Sequence, residues 1–238
     1  MSAKSKAAAP ARPARDKVDA STATERIALS ITQAIVERRL MPGTKLAEQK
    51  IADIFKVSRT LVRQALNQLS RDRLVTLTPA RGAVVAEPSV EEAQQVFEVR
   101  QMLEAAMITR LAKTITPVQL TQLREHLKAE REALKVTDVP GRTRLLADFH
   151  VLLAQMQGNE VLAQMLTDLL SRSSLIALMY QSSHSAIESH DEHEAIVAAL
   201  EQHDSKAAVK LLASHLGNVE SNLRLKPRVQ DLATVLSL

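Results

Sequence analysis

The chain has 238 residues, 45% hydrophobic and 24% charged, with no cysteine and only 2% aromatics. That length can bury a real core in one large or two modest domains. The composition excludes disulfides and thiolate metal sites, and it argues against an aromatic stacking surface for single-stranded nucleic acid. Net charge is +4 but unevenly placed: residues 1–86 carry 16 Lys+Arg against 7 Asp+Glu, and the remainder 15 against 20. A basic module followed by an acidic one suggests polyanion binding by the first and a separate task for the second. No apolar run approaches the roughly 18 residues of a membrane span, and the N-terminus lacks the apolar centre of a signal peptide, so a cytoplasmic protein is expected.

Residues 1–22 are rich in Ala, Pro, Lys and Arg without apolar period and read as a disordered basic tail. From about Thr24, Ile27, Ile31, Ile35 and Val36 mark an amphipathic helix that stops before Met41-Pro42-Gly43. A short helix over residues 49–55 follows, then a break at Lys56-Val57, and a second helix opens at Ser58, a hydroxyl residue suited to cap it. Val62, Leu66 and Leu69 share one face of that second helix, which leaves Arg59, Thr60, Arg63, Asn67 and Arg71 on the other. Such a face suits a DNA major groove, where arginine pairs with guanine edges or phosphates. Leu74–Leu77 and Ala83–Ala86 read as strands around a turn with Arg81-Gly82 at its tip. Three helices and a hairpin, spanning residues 23–87, make a winged helix-turn-helix; the alternative is a small helical subdomain with a solvated basic face.

Pro42-Gly43, Glu48, Val57-Ser58-Arg59-Thr60, Val62-Arg63, Ala65-Leu66, Leu69, Leu74-Val75 and Arg81-Gly82 resemble the DNA-binding domain of GntR-type bacterial transcription regulators. The resemblance implies double-stranded DNA contact by Ser58, Arg59, Thr60, Arg63, Asn67, Arg81 and Gly82. Leu61, Gln64 and Arg73 stand where the family usually has proline, glutamate and glycine. These departures bear on operator sequence rather than on DNA binding.

After a break at Glu87-Pro88-Ser89, the pattern is almost wholly helical. Helices are expected near 90–114, 116–134, 142–157, 159–180, 189–202 and 205–223, with a capping box at Thr116-Pro117-Val118-Gln119, a stop at Gly158 and an N-cap at Asp204. The fold class is therefore mainly α: the winged helix, then an all-α bundle of six or seven helices over residues 88–225, then a loose tail over 226–238. His150, His193 and His215 lie on apolar stripes of three separate helices and should point inward. Brought together they are a candidate site for one divalent zinc, nickel or manganese ion; kept apart they are three core histidines, each bonded to its own carbonyl. Arg100 and Arg172 are candidate clamps for a small carboxylate or other anion, although each could equally close an ion pair, Arg100 the more readily because Glu104 lies four residues on. His126, His184, His190 and His203 are assigned no role.

The runs at 148–159 (Asp-Phe-His-Val-Leu-Leu-Ala-Gln-Met-Gln-Gly-Asn), 192–196 (Glu-His-Glu-Ala-Ile), 204–208 (Asp-Ser-Lys-Ala-Ala) and 214–216 (Ser-His-Leu) look like the FCD domain, the helical ligand-binding domain of the FadR subfamily of GntR regulators. In metal-binding members the ligands are one aspartate and three histidines. The histidines map onto His150, His193 and His215, but Leu146 occupies the aspartate position. Asp148 is no substitute, because two residues along a helix is a turn of about 200°. The resemblance implies a ligand-responsive transcription regulator with a small effector, a carboxylate or other polar metabolite, in the helical domain; Arg100, Arg172 and the three histidines are the candidate effector-site residues, and because one helix-turn-helix reads few base pairs a homodimer on an inverted-repeat operator is expected. A metal-dependent hydrolase on the same histidines is the alternative, short of a general base because Glu192 and Glu194 are expected to face solvent. An architectural DNA-binding protein whose bundle only dimerises is the third.

Overall fold

A computed structural model describes residues 15–79, 82–136, 139–180 and 186–223. Its first helix, α1, spans Arg15–Val36 and so begins inside the stretch expected to be a disordered tail. The correction has a simple cause: no proline or glycine lies between Asp16 and Met41, so nothing interrupts the helix. The rest of that tail, and the C-terminal one, lie outside the described residues.

The helix-turn-helix consists of α2 (Glu48–Phe55) and α3 (Arg59–Arg71). Lys56 ends α2 in left-handed backbone (φ 54°), and Ser58 caps α3 by accepting from the Leu61 amide. Val62, Ala65, Leu66 and Leu69 are buried against α1, as their spacing requires. Arg73, at the position where glycine is usual, holds a left-handed φ of 60° in the turn after α3. The wing is β2 (Val75–Thr78) paired antiparallel with β3 (Gly82–Val85), from Val75↔Val85 to Thr78↔Gly82. An unexpected third strand, β1 (Lys45–Leu46), pairs with the other edge of β3 and gives the order β1-β3-β2. Two residues are too few to show a period of two, which is why β1 left no pattern in the sequence.

Beyond Ser89, which caps the next helix by accepting from the Glu92 amide, lie α4 (Val90–Thr114), α5 (Pro117–Lys135), α6 (Val139–Met156), α7 (Glu160–Tyr180), α8 (Ala186–Glu201) and α9 (Ser205–Ser221). The capping box at Thr116, the left-handed Gly158 (φ 66°) and the Asp204 cap all form. α6 and α8 each start three residues earlier than expected, a helical first turn that carries no apolar stripe of its own.

Helix α7 holds the two parts together. Leu166 and Leu170 belong to the bundle core with Phe149, Leu153, Ile196 and Leu212, whereas Leu175 and Leu178 insert into the winged-helix core beside Ile27 and Leu66. Tyr180 donates from its hydroxyl to the Pro88 carbonyl in the linker, at 2.8 Å. Contrary to the expectation from apolar runs, α7 is long and apolar enough to cross a membrane, with a mean hydropathy of 1.2. Half of that window is buried inside the protein, the pattern of a core helix packed on several neighbours.

Candidate functional site

On α3, Arg59, Thr60, Arg63 and Asn67 are all exposed on one face, with Ser58 at its start. Arg63 donates from Nε and Nη2 to Glu48 at 3.0 and 2.9 Å, and Arg59 donates to the same carboxylate at 3.2 Å. Glu48, the first residue of α2, thus engages both guanidiniums, and their hydrogen bonds draw its pKa below the ordinary carboxylate value. Gly82 is exposed at the start of β3 with φ 81°, so the turn needs glycine there; Arg81 lies outside the described residues.

The bundle brings His150 (α6), His193 (α8) and His215 (α9) together, with one ring nitrogen of each lying within 4.8 Å of the others. All three are buried. Each ring is oriented by a carboxylate on its Nδ1: His150 donates to Glu104 at 2.6 Å, His215 to Glu192 at 2.6 Å, and His193 to the two oxygens of Glu130 at 3.1 and 3.3 Å. A proton on every Nδ1 leaves every Nε2 as an unprotonated acceptor. The Nε2 atoms of His150 and His215 are 3.3 Å apart, and that of His193 has no partner.

Three lone pairs converging in a dry interior call for a cation. A proton is disfavoured as that cation: burial lowers the pKa of His150 and brings His193 and His215 down to about 4, outweighing the carboxylates beside them. The chemistry of the donor set, three neutral imidazoles each held by a carboxylate, fits a divalent metal. Leu146 offers no fourth ligand and instead lines the cavity beside the histidines. Asp148 turns away and pairs with Arg144 at 3.4 Å.

The histidines open onto a cavity of about 120 Å³ between α4, α6, α7, α8 and α9. Arg100 lines it, donating from Nε to Glu104 at 2.8 Å and from Nη1 to the Ser173 hydroxyl at 3.3 Å, while its buried Nη2 has no partner. Burial raises the Glu104 carboxyl, yet Arg100 and His150 outweigh it and bring the group to about 2. Arg172 stands apart: it pairs with Glu92 at 2.6 Å and does not line the cavity.

Several residues with a part in the site carried no weight in the sequence. Glu192 was expected to face solvent; instead α8 lies against α9, and Glu192 accepts from both His215 and Asn218. Glu194 does remain partly exposed, paired with Arg131. His190 donates to Glu130 at 2.9 Å, and His126 lies 3.2 Å from the same carboxylate, so both help to fix the group that orients His193. Glu130 had a legible signal: it continues the buried stripe of Leu123 and Leu127 on α5, where a carboxylate is out of place unless paired. His203 donates to the Ala112 carbonyl, away from the site.

Compared with known families, residues 95–218 match the FCD domain and residues 23–85 match the bacterial regulatory proteins of the gntR family. The HTH-type transcriptional repressor RspR of Escherichia coli K12 is 28% identical over 191 residues, covering 80% of this chain and 84% of that protein. The Uxu operon regulator of Haemophilus influenzae is 28% identical over 225 residues, covering 87% and 84%. Among solved structures, a transcriptional regulator GntR from Rhodococcus sp. RHA1 superposes with a TM-score of 0.74 at 25% identity, covering 84% of this chain and 96% of that one. These relatives are transcription regulators, and the hydrolase alternative gains no support from them.

Proposed function

Because the chain belongs to the GntR family of bacterial DNA-binding transcription regulators and carries an FCD domain, we propose that it is a ligand-responsive regulator whose effector binds at the three-histidine cavity. The carrying observation is the convergence of three buried histidine Nε2 acceptors, one of them unpartnered, on a cavity that also holds the bare Nη2 of Arg100. Buried polar groups left in this state cost about 1–3 kcal/mol each, so something that binds there is favoured over an empty site.

His150, His193 and His215 would hold one divalent metal, with zinc and nickel the better matches to three imidazoles and manganese a weaker one. Bound there, the metal supplies a Lewis-acid position open to an effector oxygen. Glu104, Glu130 and Glu192 hold each ring's proton on Nδ1 and aim its Nε2 at one point, while burial keeps the rings neutral. Arg100 offers its free Nη2 to an anionic group of the effector.

On DNA, Arg59, Thr60, Arg63 and Asn67 enter the major groove, and the wing tip with Arg81 reaches the backbone. One helix-turn-helix reads few base pairs, so the protein acts in the cytoplasm as a homodimer on an inverted repeat. α7 links the cavity to the DNA-binding domain, since it lines the first with Ser173 and packs Leu175 and Leu178 into the second. Effector binding thereby shifts the balance between two arrangements of the domains.

The test is metal analysis of protein purified without a histidine tag, with fluorescence anisotropy on a fragment selected from random DNA. About one metal per chain, its loss in His193→Ala, and an inverted repeat in the selected fragments are expected. Metal-free protein that no metal ion stabilises would overturn the metal part. Selected DNA without a repeat, or a monomer by light scattering both free and on DNA, would overturn the dimer.

A further inference from the structure

Among the described residues that line the histidine cavity, all belong to the bundle except Arg38. Arg38 comes from the DNA-binding domain, two residues past the end of α1, and holds a left-handed φ of 59°. That conformation is unfavourable for a residue with a Cβ. It brings the exposed side chain alongside the cavity, without an anionic partner among the described residues. Desolvation, and after it the charge of Arg142 on α6, lowers the Arg38 pKa.

The charges around the cavity do not balance. Arg100 presents an unspent Nη2 to it, Arg38 lines it without an anionic partner among the described residues, and Arg142 adds a third cation near Arg38. The carboxylates within reach are already engaged: Glu104 by Arg100 and His150, Glu130 by His126, His190 and His193, and Glu192 by His215 and Asn218. A metal on the histidines would make the deficit of negative charge larger. At about 120 Å³ the space is well below that of a drug-sized pocket, so its occupant is small.

We propose that Arg38 is part of the effector site: an anionic effector held in the cavity is gripped by Arg38 from the DNA-binding domain as well as by Arg100 from the bundle. This deepens the reading that the cavity holds the effector, and rests on it. A ligand held from both domains binds better when Arg38 closes on the cavity than when α1 has moved away, which is the differential affinity an effector needs to shift a conformational equilibrium. Because α1 packs directly against α3, the closure is transmitted to the DNA-reading helix without an intermediary.

The experiment uses full-length protein supplied with zinc and a panel of short mono-, di- and hydroxycarboxylates, each paired with its neutral amide. Thermal melting identifies binders, titration calorimetry measures them, and anisotropy on the selected DNA reads the response. At least one carboxylate should bind while its amide does not. Arg38→Gln should weaken that binding about tenfold to a hundredfold, Arg38→Lys should recover part of it, and Arg38→Gln should keep its ligand-free DNA affinity while losing the response to ligand. If no carboxylate in the panel binds wild type, the anion assignment falls. Equal binding by wild type and Arg38→Gln removes Arg38 from the site and leaves the cavity reading intact. Leu146→Trp, which fills the cavity, separates the two: wild-type affinity in that variant would overturn the cavity reading itself.

Discussion

Two arginine–glutamate pairs of nearly equal length do opposite work in this protein. Arg63 meets Glu48 at 2.9 Å with side chains 62% and 25% exposed, whereas Arg100 meets Glu104 at 2.8 Å with side chains 4% and 0% exposed. In water the first pair is worth little and is readily exchanged, so Arg63 can leave Glu48 for a phosphate or a guanine edge. In the interior the second cannot be exchanged, because separating it strands a buried charge. It serves as scaffold, fixing the carboxylate that aims His150. Residue type and bond length alone would not have told an exchangeable pair from a structural strut; burial does.

The largest effect should come from breaking the buried pair. Glu104→Ala leaves Arg100 uncompensated and the His150 Nδ1 without an acceptor, and should cost about 3–5 kcal/mol in urea unfolding. A loss below 1 kcal/mol would mean that the interior is wetter than the burial of these groups implies.

Acid should act next. With metal removed, His193 and His215 stay neutral in the folded protein down to about 4, whereas in the unfolded chain they titrate near 6.5. As pH falls through 6.5 the unfolded state takes up protons first, so stability present above that pH is lost progressively toward pH 4, by on the order of a few kcal/mol. Glu104 and Glu130, held near 2, extend the loss below 4.5. Melting in chelator between pH 7.5 and 4.5 measures this, and a flat profile would contradict neutral, buried rings.

At the exposed pair the effects should fall on binding rather than stability. Arg63→Ala should weaken binding to the selected DNA about five- to a hundredfold if it reads a base, with urea unfolding unchanged. Unchanged affinity in the folded variant would remove Arg63 from the interface. Smallest of all, Glu48→Gln should leave the melting temperature where it was and raise DNA affinity slightly, since Arg59 and Arg63 lose a competitor for their donors. A marked drop in affinity would show that Glu48 positions the arginines more than it competes for them.

Much of the architecture was written locally. The stripe of Val62, Leu66 and Leu69, the cap at Ser58, the capping box at Thr116 and the stop at Gly158 depend on residues within a turn or two of one another, so spacing alone carried them. The inward direction of His150, His193 and His215 was legible for the same reason. The two-residue β1 and the backward extension of α1 to Arg15 were not, the first because it is too short for a period and the second because its added residues carry no apolar stripe.

What the sequence by itself determined is therefore which side chains each helix turns toward the interior, because helical periodicity is a property of one segment. Only the tertiary structure decided which of them meet. That Glu130 rather than a backbone carbonyl orients His193, that Glu192 turns inward to His215, that Arg172 is taken up by Glu92, and that Arg38 crosses from one domain to the other's cavity all depend on which helices are neighbours and in what register. Those relations are set by the packing of whole faces, between residues 23 apart for Glu192 and His215 and 63 or 80 apart for the Glu130 and Arg172 pairs, and no local spacing encodes them.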